Sequence, residues 1–356
     1  MNAPAPLSEL TTLRLGGPPG RLADATDEDE LVALVRDADA GGEPLLVLAG
    51  ASNVVIADDG FAGIVVRVVT RGVEQLQRSD GRVWLEVQAG EQWDALVALC
   101  VKHGLAGIEA LSGIPGSVGA TPIQNVGAYG QEVADVLVGV RALDRVSGEV
   151  HALGVEECLF DYRSSVFKRD PDRWIVLSVS FALEPSGASE PVRYAQLAQR
   201  LGIEEGARAP LADVRGAVLE LRRAKGMVLD PGDPDTVSAG SFFTNPILRE
   251  QAFAELARRA AELGQGVVPP SWSASDHRYV KTSAAWLIEQ AGFRRGHGDP
   301  GGIAISSKHT LALTNRGAGT TGELVALARE IAGAVHEAFG VQLVPEPVFV
   351  GHRWDE

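Results

Sequence analysis

Cysteine is almost missing from this chain: only Cys100 and Cys158 occur in 356 residues. They stand far apart in apolar surroundings, which argues against a disulfide framework and a thiolate metal site and fits a reducing cytoplasm. Runs of positive charge are missing too. No stretch of Lys and Arg is longer than two, and the net charge is −15, so neither a nucleic-acid backbone nor an anionic membrane is an expected partner. No apolar run approaches a membrane span, and the first residues, M-N-A-P-A-P-L-S, have neither a basic nor an apolar leader region. A cytoplasmic location without export is therefore expected. The seven histidines include no pair at ligand spacing on a helix, and neither H-E-x-x-H nor C-x-x-C occurs, so no metal is expected. There is no G-x-S-x-G elbow, which makes Ser241 a poor hydrolase nucleophile. G-H-G-D-P-G (Gly296–Gly301) matches a dinucleotide fingerprint by letters, but it follows a helix and leads into a strand, so no Rossmann domain follows from it. Repeats and low-complexity tracts are absent.

What the chain has is 45% hydrophobic residues, enough for two or three domains, and a concentration of glycine. The stretch Gly113–Gly130 reads G-I-P-G-S-V-G-A-T-P-I-Q-N-V-G-A-Y-G. Its five glycines leave main-chain N–H groups uncovered and open to positive φ, so a flat or phosphorylated ligand can approach closely. Pro115 and Pro122 stiffen the loop. Gln124 and Asn125 add amide groups, and no charged residue occurs from Ser112 to Gln131, which suits a neutral heteroaromatic ring. A glycine-rich surface turn is the plain alternative. A second small-residue turn, Ala49–Asn53, follows the buried strand Leu45–Leu48 and can hold a diphosphate on its N–H groups, with Ser52 and Asn53 adding side-chain bonds.

The remaining pattern alternates strands and helices. Arg21–Ala25 reads as a strand, and Thr26 with Asp29 as the capping pair of a helix that ends at Gly41-Gly42. Further strands are expected at Gly63–Val69, Val83–Ala89, Val136–Asp144, Val150–Leu153 and Trp174–Leu183. A helix is expected over Glu91–Lys102, with Trp93 on its core side. Asp161–Lys168 sets Tyr162, Arg163, Ser165 and Lys168 among aromatics and reads as a site or as a solvated loop. After helices at Tyr194–Leu201 and Ala212–Lys225, the segment Leu229–Gly240 reads as a flexible connection, with a domain boundary near residue 227. Beyond it come helices at Arg249–Leu263 and Ser283–Gln290, strands at Gly302–Ile305 and Leu311–Asn315, a helix Gly322–Phe339 capped by Thr321, and a strand Leu343–Val350 carrying P-E-P.

Several segments, taken in order, carry a resemblance: T-T-L-R-L-G-G (Thr11–Gly17), A-G-A-S-N, the Gly113–Gly130 loop, Y-R-S-S-V-F-K (Tyr162–Lys168), R-R-A-K (Arg222–Lys225), A-G-S-F-F-T-N-P (Ala239–Pro246), A-A-W-L-I-E-Q-A-G (Ala284–Gly292), K-H-T-L-A-L-T-N (Lys308–Asn315) and P-E-P (Pro345–Pro347). Over nearly its whole length the chain resembles the flavoenzyme family of UDP-N-acetylenolpyruvoylglucosamine reductase. The resemblance implies an α+β fold, a three-domain flavoenzyme with a two-part αβ FAD-binding unit and a third αβ substrate-binding domain. On that pattern residues 1–70, joined by the C-terminal strand 342–356, and residues 71–227 bind FAD, and residues 228–341 bind substrate. FAD is expected to be noncovalent, because Ala49–Asn53 and its flanks carry no histidine to tether it. The implied flavin contacts are Ala49, Gly50, Ala51, Ser52, Asn53, Gly113, Pro115, Gly116, Ser117, Gly119, Ala120, Gln124, Asn125, Gly127 and Tyr129, with Arg14, Gly16 and Gly17 contributing shape.

The implied reaction uses NADPH, through FAD, to reduce the enolpyruvyl ether of UDP-N-acetylglucosamine to the lactyl ether of a cell-wall precursor. Negative charge then develops beside the substrate carboxylate, so the protein must supply cations or donors there and a proton to the carbon. The resemblance assigns Arg163 and Glu346 to the carboxylate, with Glu346 protonated, and Ser241 to the proton. Tyr194, Lys225, Asn245 and His309 are the implied contacts for the diphosphate and nucleotide, Tyr129 is a further implied substrate contact, and Tyr194 marks the subtype with a substrate-covering loop. Each catalytic residue also has a plainer reading: Arg163 as a structural ion pair, Ser241 as a turn residue, Glu346 as a solvated rim position. The expected partner is a small nucleotide sugar, and a monomer is the expected state. An FAD-linked oxidase acting on a small alcohol or sugar, or a non-catalytic nucleotide-sugar-binding protein, are the alternatives.

Overall fold

A computed structural model describes residues 5–76, 80–264, 266–273 and 278–354. The chain divides into two compact units. The first comprises Pro19–Ala51 and Phe61–Val228, and the second Pro6–Pro18, Ser52–Gly60 and the chain from Leu229 on.

The first unit opens with a parallel sheet in which Phe61–Val68 lies between Pro19–Ala25 and Leu45–Leu48. Ile64, Val65 and Val66 are fully buried in succession, the unbroken apolar run of a strand covered on both faces. Helix Glu28–Gly41 connects two of these strands and buries Leu31, Val32 and Val35. Its cap falls one residue later than Thr26: Asp27 accepts the Glu30 N–H, and Glu30 reaches back to the Thr26 N–H and hydroxyl. The second layer is antiparallel, in the order Glu149–Gly154, Leu137–Asp144, Trp174–Pro185, Val83–Gln88, Val73–Leu76. Helix Trp93–Lys102 buries Trp93, Leu96, Val97 and Cys100, and the Trp93 ring lies 6.0 Å from that of Phe181, so its core reading holds. Helices Ala195–Leu201 and Leu211–Ala224 share a smaller core of Leu197, Ala198, Val214 and Val218.

One ion pair in this unit carries a pH prediction. The Arg173 guanidinium grips the Asp144 carboxylate through two bonds, of 2.7 and 3.1 Å, and holds its pKa down at about 2. The unfolded carboxyl titrates near 3.8, so the contribution is fully present above that pH and is lost as pH falls through about 2. Asp144→Asn should therefore flatten the acid limb of a denaturation profile between about pH 4 and pH 2. An acid limb of unchanged slope would show that other carboxylates govern it.

In the second unit, Ser238–Ser241, Ala312–Asn315 and Ile303–Ile305 form an antiparallel sheet with Ala312–Asn315 central. Helices Glu250–Glu262, Ala284–Gln290 and Thr321–Phe339 supply its core with Leu256, Leu287, Leu324, Ile331 and Phe339. Two short segments from early in the chain belong to this unit because their polar groups are tied into it. The Asn315 amide donates to the carbonyls of Leu13 and Arg14, and the Asp58 carboxylate accepts the N–H groups of Thr321 and Gly322 at 2.8 and 2.9 Å. Thr320, not Thr321, is the side-chain cap of the long helix, while the Thr321 hydroxyl donates to the Ile56 carbonyl. The terminal strand shrinks to Val348–Val350, since Pro345 and Pro347 have no N–H to donate; it pairs with Val54–Ile56. Leu229–Gly240 is no flexible connection: it holds a 3₁₀ turn, Pro234–Thr236, and most of the strand Ser238–Ser241, with Asp235 and Thr236 buried. Among the described residues no helix is long and apolar enough to cross a membrane.

Candidate active site

The glycine loop of the first unit is held from below by the core. Glu91 and Ala89 accept the N–H groups of Val118 and Gly119, Gly116 accepts that of Trp93, and the Trp93 indole donates to the Leu111 carbonyl. The loop then meets the small-residue turn. A Cβ on Gly50 would lie 2.5 Å from the Gly116 Cα and 2.9 Å from the Ser117 nitrogen, so two backbones touch where any side chain would intrude. Gly119 is confined in the same way by Ala89, at 2.5 Å. Beside this contact the Ser117 hydroxyl is buried and, among the described residues, makes no hydrogen bond. A side-chain-free cradle with an orphaned buried hydroxyl fits a flavin dinucleotide, whose phosphate oxygens would supply the missing acceptor. Pro115, Ala120 and Gln124 lie along the same loop.

Backbone strain marks the same region. Among the described residues six non-glycine residues adopt left-handed φ, and four of them are candidate site residues of the first unit: Ala51 (41°), Asn125 (45°), Tyr129 (50°) and Arg163 (52°). Each costs about 1–2 kcal/mol, which surrounding bonds must offset. At Asn125 they are visible: the side chain donates to Glu132 and to the Asp161 carbonyl and accepts from Ala134. The Arg163 guanidinium donates to the carbonyls of Asn125 (3.3 Å) and Gly127 (2.7 Å), and the buried Ser165 donates to that of Ile123. The Asp161–Lys168 segment is thus tied along the glycine loop through Arg163 and Ser165, with Asp161 at its start exposed.

Three expected substrate contacts come together in this unit. The rings of Tyr129 and Tyr194 meet edge to face at 5.3 Å, and the Lys225 ammonium lies 6.0 Å from the Tyr129 ring centre. Tyr194 caps helix Ala195–Leu201 and Lys225 ends helix Leu211–Ala224. Burial, and then the neighbouring Arg222 charge, lowers the Lys225 pKa, while burial raises that of Tyr129. A buried and a half-buried cation close together make a field that favours an anion.

Sequence reasoning missed the groups that hold this arrangement. Asp94 accepts the Gly113 N–H at 2.6 Å and is gripped by Arg215 through two bonds, of 2.6 and 2.9 Å. Burial pushes the Asp94 pKa up, but Arg215 and the Gly113 N–H outweigh it and the net shift is downward. Arg222 sits behind Gly113, nine-tenths buried, donating to the Met227 carbonyl. Its place in R-R-A-K was the only available signal.

In the second unit, Ser241 ends its strand opposite Ala312. The next residue, Phe242, donates to Leu311 at 2.7 Å and accepts the Glu346 N–H at 2.8 Å, so Ser241 and Glu346 are carried on segments joined by main-chain bonds. The Asn53 amide donates to the Glu346 carbonyl, and the Asn53 carbonyl accepts from Val348. Ser52 accepts from Thr12. Asn245 Oδ1 takes the Ala284 N–H at the start of a helix, leaving Nδ2 as that amide's donor. His309 lies in the turn between the strands Ile303–Ile305 and Ala312–Asn315, its N–H donated to Ser306 Oγ. Arg163, Tyr129, Tyr194 and Lys225 belong to the first unit; Ser241, Asn245, His309 and Glu346 belong to the second. Among the described residues no cluster of potential metal ligands occurs.

The fold and the cradle define an FAD-binding protein of mixed α+β architecture, and the family described as FAD binding domain matches residues 19–154. The family described as UDP-N-acetylenolpyruvoylglucosamine reductase, C-terminal domain, matches residues 233–350. The chain is 56% identical over 347 residues to the UDP-N-acetylenolpyruvoylglucosamine reductase of Thermobifida fusca, covering 97% of each. It is 57% identical over 349 residues to that of Streptomyces coelicolor, covering 98% of this chain and 89% of the relative. The crystal structure of the reductase from Thermus caldophilus is similar with a TM-score of 0.63 at 25% identity, covering 97% of both chains. The chain belongs to the UDP-N-acetylenolpyruvoylglucosamine reductase family.

Proposed function

We propose that this protein reduces UDP-N-acetylglucosamine enolpyruvate to UDP-N-acetylmuramate with NADPH and noncovalent FAD, in the cytoplasm, as a step of peptidoglycan precursor synthesis. The observation that carries this reading is the near-full-length likeness to reductases of that name. In this reading residues 1–70 with 342–356, and residues 71–227, form the flavin-binding parts, residues 228–341 the substrate-binding part, and the protein acts as a monomer. When bound, FAD supplies hydride transfer between NADPH and the enolpyruvyl double bond. The turn Ala49–Asn53 and the loop Gly113–Tyr129, with the Ser117 hydroxyl, hold it.

The protein's own groups handle charge and proton. Arg163, fixed by two main-chain carbonyls, offers a cation to the substrate carboxylate without needing to reorganise. Glu346 polarises the same carboxylate, and Ser241 donates the proton to the carbon that becomes basic. Tyr129, Tyr194 and Lys225 bind the diphosphate, and Asn245 and His309 the rest of the nucleotide sugar.

A visible absorption spectrum tests the reading directly. The purified protein should be yellow, bleach with NADPH in the absence of oxygen, and recover its colour when the enolpyruvyl sugar is added. A colourless protein overturns it, and so does a bleached one that only oxygen restores, which would identify an oxidase.

A further inference from the structure

The acidic segment after Leu229 is built into the second unit through its side chains. Asp235, 2% exposed, accepts the Ser307 N–H (3.0 Å), the Ser307 hydroxyl (2.5 Å) and the Arg316 guanidinium (2.6 Å). Two residues earlier, Asp233 accepts the Lys308 ammonium at 2.5 Å. From another direction, Glu289 accepts the Thr310 hydroxyl at 2.6 Å. Ser307, Lys308 and Thr310 are thus each held by a carboxylate from elsewhere in the unit, and His309 stands among them. The turn is closed from within as well: Ser306 Oγ accepts the N–H groups of Lys308 and His309, and the His309 carbonyl accepts that of Ala312. Three anchors on a single turn exceed what joining two short strands requires.

We infer that Asp235, assisted by Asp233, is a positioning residue: it locks the Ser306–Ala312 turn so that His309 meets the nucleotide sugar already ordered. This rests on the reading of His309 as a substrate contact. The gain is preorganisation, because a loop that is fixed before binding loses no freedom when the ligand arrives. Asp235 keeps its charge in this role. Burial raises its pKa, but the Ser307 bonds and the Arg316 charge outweigh that, and the net shift is downward.

The test is a double-mutant cycle on the FAD-loaded enzyme with UDP-N-acetylglucosamine enolpyruvate, following KM, kcat and, separately, the rate of flavin reduction by NADPH. Asp235→Ala should raise KM about tenfold with kcat within about twofold, and the combination with His309→Ala should be no worse than His309→Ala alone. Flavin reduction by NADPH should be unchanged. Effects that multiply in the double variant overturn the inference, as does a parallel fall in kcat and in flavin reduction, which a merely structural role would give. If Asp235→Ala does not fold, Ser307→Ala removes the hydroxyl bond to Asp235 from the exposed side, keeps the main-chain N–H bond, and carries the test with a smaller rise in KM and the same non-additivity with His309→Ala. An unchanged KM in His309→Ala would reject the substrate-contact reading itself, and the inference with it. A raised KM there beside a normal Asp235→Ala would reject the positioning role alone.

Discussion

Ser241→Ala is expected to leave flavin reduction by NADPH near its ordinary rate and to slow re-oxidation by the enolpyruvyl sugar by roughly two to four orders of magnitude, the usual contribution of a positioned general acid. The selectivity follows from chemistry. Only the second half-reaction generates a basic carbon that needs a proton, so removing the donor penalises that step alone. A serine hydroxyl is a weak acid, but the carbon beside a reduced enolpyruvyl group is strongly basic, and the direction of transfer is favourable. Structural damage should be small, because the anchoring bonds around this position, Phe242 to Leu311 and Glu346 to Phe242, are main-chain bonds that the substitution leaves intact. Phe242 and Phe243 remain buried beside it. Rapid-mixing measurements of the two half-reactions separate the outcomes. An equal loss in both would show that Ser241 shapes the site rather than donating a proton.

How much of this was legible in the sequence depended on whether the signal was local. Leu45–Leu48, Trp93–Lys102 and the glycine stop at Gly42 are readable because apolar period and terminating residue agree within a few positions. Caps slip by one residue where two candidates adjoin. Thr320 and Thr321 both suit a helix start, and only the bond from the Glu323 N–H to Thr320 decides between them. The three-residue strands Val54–Ile56, Ile247–Arg249 and Ser271–Ser273 are too short to display a period. The glycine loop is legible for the opposite reason: five glycines and a run without charge declare themselves in eighteen positions. Asp94 does not, since its partners lie 19 and 121 positions away and its own surroundings are those of an ordinary first helical turn. The acidic segment Leu229–Gly240 misleads by composition. Its Pro, Gly and Asp content suits a linker, and only the positions of Ser307, Lys308 and Arg316 in the fold reveal that its carboxylates are engaged.

Gly50→Ala should produce a folded protein that has largely lost its flavin. Gly50 is exposed and its φ lies outside the left-handed region, so alanine is not strained by its own backbone. The conflict is one of packing alone. The added methyl would stand 2.5 Å from the Gly116 Cα, 2.7 Å from its carbonyl carbon and 2.9 Å from the Ser117 nitrogen. All three are backbone atoms, so no side chain can swing aside and the backbone itself must give way. Without flavin the turn can do so with little penalty to the fold, because Gly50 is exposed while Gly116 stays bonded to the Trp93 N–H. On the proposed flavin site, binding FAD requires the turn and the loop to close again around Ser117, so the overpacking penalty of about 1–3 kcal/mol falls on the binding step. That predicts an affinity lower by roughly tenfold to a hundredfold. Titration of the flavin-free protein with FAD, followed by flavin fluorescence, measures it, and the flavin-free variant should melt close to the flavin-free parent while gaining less from added FAD. Gly119→Ala is the contrasting case: its methyl would meet Ala89, which is 2% exposed, so it should lower the melting temperature with or without flavin. If Gly50→Ala instead binds FAD as tightly as the parent, the contact of turn and loop is not where the dinucleotide lies, and the cradle must be sought further along Gly113–Gly130.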